Sequence, residues 1–171
     1  NTHLYIKIIM KKVTDKIIDG CIDASESMSE EKMEKVMEAF SEEQPMLFSY
    51  IFSEENGPIS EEEHSFLEYL AMIIWMGYKK VHPEPHDKIS EDEIGDAEEA
   101  NFEVIENSKA KDFSGKIDPF FEGYDQEELL AFVEEALTED DFEGDAIISE
   151  QAIEPMFVTL KTMIDVLSTK A

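Results

Sequence analysis

Between Phe66 and Tyr78 only Glu68 interrupts an apolar run, and the apolar residues of Ser60–His82 fall on every side of a helical wheel. A helix that is apolar all round is either the buried centre of a soluble domain or a membrane span. A span needs about 20 predominantly apolar residues. This run is shorter and is bounded by Glu61, Glu62 and Glu63 before it and by Lys79 and Lys80 after it. The stretch is therefore expected to be the central buried post of a helical bundle. Ser60 with Glu63 has the spacing of a capping box at its start. The two prolines of His82-Pro83-Glu84-Pro85-His86 stop it, because neither can continue a helix.

The rest of the chain supplies helices to pack around that post. Val13, Ile17, Ile18, Cys21 and Ile22 recur at helical spacing and predict a first helix over about 11–24. Ser29 opens a second, with Met33, Val36, Met37 and Phe40 on one face. Ser41 and Gln44 read as a capping box for a third over about 42–53, with Pro45 in its first turn, where a missing N–H matters little. Ser90 with Glu93 opens a helix over about 91–107, whose flank of Glu91, Asp92, Asp96, Glu98 and Glu99 is expected to face solvent. Residues 108–124 read as a loop anchored by Phe113, Ile117, Phe120, Phe121 and Tyr124, with a short turn at Asp118-Pro119. Asp125 with Glu128 starts a helix over about 126–138. A final helix follows Ser149, with Pro155 either kinking it or opening its regular part.

The expected fold is thus all-α: a single-domain bundle of about six to seven helices around the central helix at about 61–82. Met10-Lys11-Lys12 resembles a bacterial translation start. Residues 10–171 are read as the domain and 1–9 as an N-terminal extension, with a strand or helical lead-in from Leu4 to Ile9 as the alternative.

Charge narrows the function classes. There are 42 Asp and Glu residues against 14 basic ones, a formal net charge of −28. Such a surface opposes contact with nucleic acid or anionic membrane. All the basic residues are Lys, so the bidentate guanidinium fork that reads phosphates and base edges is absent from the sequence. The one cysteine, Cys21, cannot form an internal disulfide; on the apolar face of its helix, with no basic neighbour in sequence, it reads as core. The expected location is the cytoplasm.

Few constellations could carry chemistry. Residues 139–150, EDDFEGDAIISE, place Glu139, Asp141, Glu143, Gly144 and Glu150 at positions 1, 3, 5, 6 and 12 of an EF-hand-like loop, where calcium ligands and the turn glycine belong. Glu at position 1 and Ala146 at position 8 depart from that pattern. The alternative is a solvated acidic linker, turned by Gly144, that leads into a helix. Glu61-x-x-His64 matches half of a di-iron site, but no second such pair lies on a helix. Pro83 and Pro85 favour extended backbone, which would separate the His82 and His86 rings by about 12 Å. Trp75, Tyr69 and Tyr78 could line a pocket or pack in the core. Phosphate loops, nucleophile elbows and zinc-ligand motifs are missing from the sequence.

The function expected from these features is that of an acidic protein-interaction module for a partner with a basic surface, steered by the helix 91–107 and the loop 139–145. The alternatives are a calcium-binding module at 139–150 and, behind it, a small metal-dependent enzyme using His64, His82 or His86. No cofactor other than calcium is suggested, and an enzyme is not favoured.

Overall fold

The computed structural model describes residues 12–53 and 57–170. Among them are eight α-helices and one short 3-10 helix. In chain order they are α1 (Asp15–Ser27), α2 (Glu30–Glu43), α3 (Pro45–Phe52), α4 (Glu61–Val81), α5 (Glu91–Glu106) and α6 (Phe113–Ile117). The 3-10 turn (Asp118–Phe121), α7 (Glu127–Thr138) and α8 (Glu150–Lys170) follow. The all-α expectation holds. The expectation for residues 1–9 falls outside the described residues.

Side-chain caps start four of the helices. The Thr14, Ser29, Ser60 and Ser90 hydroxyls each accept a backbone N–H from the first turn that follows them, satisfying donors that a helix start leaves unpaired. Thr14 therefore sets the start of α1, later than apolar periodicity suggests. The Ser41–Gln44 capping box does not form. Instead α2 runs on to Glu43, Gln44 ends it, and Pro45 begins α3. The Gln44 side chain is buried and serves a different element. Its amide donates to the Asp87 carbonyl at 2.9 Å and accepts from Ile89 N–H at 2.8 Å. It pins the loop after α4 to the α2–α3 corner. Likewise Asp125 does not cap α7, whose N-cap is Gln126; Gln126 Oε1 accepts Val13 N–H at 3.0 Å. Residues 113–117, read as loop, form α6, and Pro119 starts the 3-10 turn.

Two helices share the centre. α4 packs against α1, α2, α3 and α8, as expected of the post. α8 packs against α4, α5 and α7, and every residue from Met156 to Ile164 is buried. Pro155 lies inside α8, which begins at Glu150 and continues past it. Gly77 has a specific reason to be glycine, because a Cβ there would meet Val13 Cγ1 at 2.8 Å. Its absence lets the segment leading into α1 lie directly on α4.

The polar residues buried in α8 are paired. Lys161 Nζ donates to Asp165 Oδ2 at 2.8 Å and Asn101 Oδ1 at 3.0 Å, and lies over the rings of Phe120 and Tyr124. Asn101 donates in turn to Thr162 and Asp165, and the Tyr124 hydroxyl donates to Asp165 Oδ1 at 2.6 Å. Burial, then the neighbouring Asp165 charge and hydrogen bond, push the Tyr124 phenol far above its ordinary pKa. This network joins α5, α8 and the segment before α7 through satisfied groups, the condition under which buried charge is tolerated. Among the described residues no helix is long and apolar enough to cross a membrane.

Candidate interaction surface

The N-termini of the two central helices meet at one carboxylate. Glu63 completes the capping box of α4, its Oε1 accepting Ser60 N–H at 2.9 Å. Its Oε2 accepts both the N–H and the hydroxyl of Ser149, at 2.8 and 2.7 Å, immediately before α8. Burial would raise the Glu63 pKa, but the hydrogen bonds from Ser60 and Ser149 outweigh it and hold the carboxyl below its usual value. Glu63 thereby fixes where the segment between α7 and α8 leaves the bundle.

That segment is a small hairpin. Asp140 and Ala146 pair as an isolated antiparallel bridge, and Ile147 N–H reaches back to the Glu139 carbonyl at 3.3 Å. Asp141 organises the tip: its backbone N–H donates to the Asp145 carbonyl, and its Oδ1 accepts the N–H groups of Glu143 and Asp145 at 2.9 and 2.8 Å. Gly144 turns the chain at φ 87°, a conformation that favours glycine. Leu137 and Ile148, both buried, seat the hairpin's two feet in the core.

At the tip Phe142 is 107% exposed, touching neither the hairpin nor the bundle to any useful extent. Glu139, Asp140, Asp141, Glu143 and Asp145 flank it along the hairpin, all exposed. An aromatic side chain carries a large transfer free energy and normally hides it. Here an ordered turn holds one in water on a hairpin rich in negative charge.

The predicted calcium ligands lie within and beside this hairpin without converging. Glu139 is at the first foot, Asp141 turns inward to bind backbone N–H groups, Glu143 lies at the tip, and Glu150 stands beyond Ser149 in the first turn of α8. Among the described residues no group of three or more His, Cys, Asp or Glu side chains is arranged to hold a metal ion. The turn that resembles a cation loop in sequence is closed by its own N–H donors.

The other candidate residues are dispersed. His64 sits one turn into α4, Nδ1 2.9 Å from Glu68 Oε1 and Nε2 2.9 Å from the Ser53 carbonyl. The Glu68 that breaks the apolar run thus pairs with His64, in a groove shared with Phe52, Ile59 and Ser65. His82 and His86 lie at the opposite end of α4. Their ring centroids are 5.5 Å apart, edge to face, rather than the roughly 12 Å of an extended chain, because the backbone bends at Glu84. Tyr78 is core, donating to the Ile164 carbonyl and meeting Ser168. Tyr69 is exposed, and Trp75 stacks on Phe40 at 4.3 Å between centroids. Cys21 is buried and free; burial raises its pKa, and the charge of Lys80, a basic neighbour that sequence proximity hides, offsets part of the rise. On α5, Glu91, Asp92, Asp96 and Glu99 face solvent as expected, whereas Glu98 is partly buried and accepts the Tyr50 hydroxyl.

The sequence does single out the acidic loop, but not Phe142 as its tip. The available signal is an isolated aromatic with carboxylates on both sides in sequence and no apolar partner at helical or strand spacing. No protein-family model, curated protein or solved structure matches the chain.

Proposed function

We propose that the protein is an interaction module whose hairpin, residues 139–147, docks Phe142 into an apolar, basic-rimmed pocket of a partner protein. The observation that carries this reading is the full exposure of Phe142 on a hydrogen-bonded turn with buried feet. Burying such a ring yields about 1.5–3 kcal/mol, and a pre-ordered loop loses little conformational entropy on binding. The five flanking carboxylates steer approach to a cationic rim and disfavour anionic partners. We place the module in the cytoplasm, a reading supported by the free, buried Cys21.

Affinity capture from cell extract with the wild-type chain and Phe142→Ala tests this. The wild type should retain discrete basic polypeptides at low salt and release them at high salt, while Phe142→Ala retains them at least about ten-fold less well. The folded state should be untouched, since the ring makes no core contact. Retention indifferent to both Phe142 and salt would refute the proposal.

A further inference from the structure

The strongest departure from the acidic surface lies on the C-terminal half of α4. A groove of about 600 Å³ runs between α2 and α4, with Val36, Ala39, Trp75 and Met76 as its apolar floor. Lys32, Lys35, Lys79 and Lys80 line it, and among the described residues no carboxylate does. In a chain with three acidic residues for each basic one, a groove lined by four lysines and no acid is a local reversal of sign. Lys32 and Lys80 have no ion-pair partner among the described residues. Lys35 makes only a 3.8 Å exposed contact with Glu31, a pair worth little. Lys79 is held by Glu43 at 2.7 Å and lies 5.5 Å above the Trp75 ring centroid.

The groove does not end there. A second trough of about 370 Å³ shares Ala39, Trp75 and Lys79 with it and continues past Glu42 and Glu43 to Pro83 and Pro85. Together they form an open, elongated channel rather than an enclosed pocket, a shape that suits a length of chain better than a compact ligand. The apolar floor requires hydrophobic anchors in the occupant, and the lysines require negative charge beside them.

We propose that the lysine-lined groove of this channel, short of Glu42 and Glu43, is a second binding site, for an acidic amphipathic peptide segment of another protein. Its apolar face lies on Val36, Trp75 and Met76, and its carboxylates meet Lys32, Lys35 and Lys80. The site is distinct from the hairpin. Glu63 and Trp75 are separated by about 18 Å along the axis of α4 at 1.5 Å per residue, so two partners of opposite charge can be held at once. A second copy's own hairpin has suitable chemistry, but two chains of −28 each repel one another, which favours a short acidic segment as the occupant.

The sole tryptophan of the chain, Trp75, reports on the channel directly. The probe is a capped amphipathic peptide of about 16 residues, Leu and Phe on one face and Glu on the other, titrated against the full chain while Trp75 emission is followed. A saturable change is expected, weakened at least about ten-fold in Lys32→Glu/Lys80→Glu and by added salt, and absent for the peptide with Lys in place of Glu. Phe142→Ala should bind the peptide as the wild type does, which separates this site from the hairpin reading. Both lysines are exposed, so the double variant should keep its helical circular dichroism. The proposal is overturned by any of four results: no response at millimolar peptide, equal binding of the Lys peptide, binding indifferent to Lys32→Glu/Lys80→Glu, or phosphatidylglycerol vesicles binding through these lysines while the peptide does not. Sedimentation showing self-association that the double variant abolishes would assign the channel to a second copy and would also overturn it.

Discussion

Glu63 is the point at which a single substitution should be felt at both central helices. Its carboxylate accepts three hydrogen bonds, from Ser60 N–H and from the N–H and hydroxyl of Ser149, at 2.7–2.9 Å. Glu63→Gln keeps the shape and removes the fit, because an amide has one accepting oxygen and a donating NH2. If that oxygen stays with Ser149, the NH2 faces the Ser60 N–H, donor against donor; if it turns to Ser60, both Ser149 donors lose their partner. The helix starts also lose a negative charge, worth roughly 0.3–1 kcal/mol at each. With one charge-assisted hydrogen bond at about 1.5–3 kcal/mol, the loss comes to about 3 kcal/mol. For a chain of this size 1 kcal/mol moves Tm by roughly 2–4 °C, so a fall of about 6–12 °C is expected. Glu63→Ala should cost at least as much, and Ser149→Ala about 1.5–3 kcal/mol as the loss of the hydroxyl's hydrogen bond to the carboxylate.

Acid gives an independent check of sign. The folded-state pKa of Glu63 is depressed, so the unfolded chain binds the proton more readily and this carboxylate stabilises the fold at neutral pH. Its contribution is fully present above the unfolded value of about 4.3 and is lost as pH falls through the lower folded value. Urea unfolding of wild type and Glu63→Gln at a series of pH values measures both effects. The stability gap should be flat from neutral pH down to about 5 and shrink below about 4. A gap under about 0.5 kcal/mol at neutral pH, or one that widens on acidification, would show that the carboxylate does not join the two helix starts as its geometry implies.

Two further perturbations probe the buried polar groups. Lys161→Met leaves Asp165 and the Asn101 carbonyl without their cation, and should destabilise by about 3–5 kcal/mol in urea unfolding. Gln44→Ala strands the buried Ile89 N–H and should cost about 1–3 kcal/mol, with the Ile89 amide exchanging faster in hydrogen-exchange measurements by more than the α8 amides, which speed up only by the global stability lost.

How far the sequence discloses this fold depends on what each residue does with its polar atoms. α4 is legible because its face opposite α8 is also covered, so it is apolar on all sides and its charged ends lie outside the run. α8 is just as central but carries Thr159, Lys161, Thr162 and Asp165, and so looks like an ordinary amphipathic surface helix. Asn101 and Tyr124, distant in sequence, supply the partners that allow those residues inside. The same difficulty applies to Gln44, whose spacing from Ser41 mimics a capping box while its amide serves residues 87 and 89. Spacing finds caps whose partners are local, as at Ser60 and Ser90, and misses side chains whose partners arrive from another element. In the hairpin, whose spacing agrees with a cation loop only in part, Asp141 turns its oxygen onto N–H groups two and four residues on.

The lysines say the most about function because they are scarce. Where the fold needs a tie between elements, a lysine supplies it: Lys79 to Glu43 joins α4 to α2, Lys116 to Glu154 joins α6 to α8, Lys170 to Glu93 joins α8 to α5, and Lys88 caps the Glu42 carbonyl. Carboxylates are abundant enough that a lysine placed at random on this surface would usually have one beside it. Lys32 and Lys80 instead face an apolar floor, in a groove that among the described residues has no carboxylate in its lining. Lys32 and Lys80 are thus cations not committed to a tie within the fold, with which an anionic occupant would pair. The hairpin has the opposite design, an apolar ring held in water beside negative charge. Each surface suits a partner of opposite sign with an apolar group at its centre.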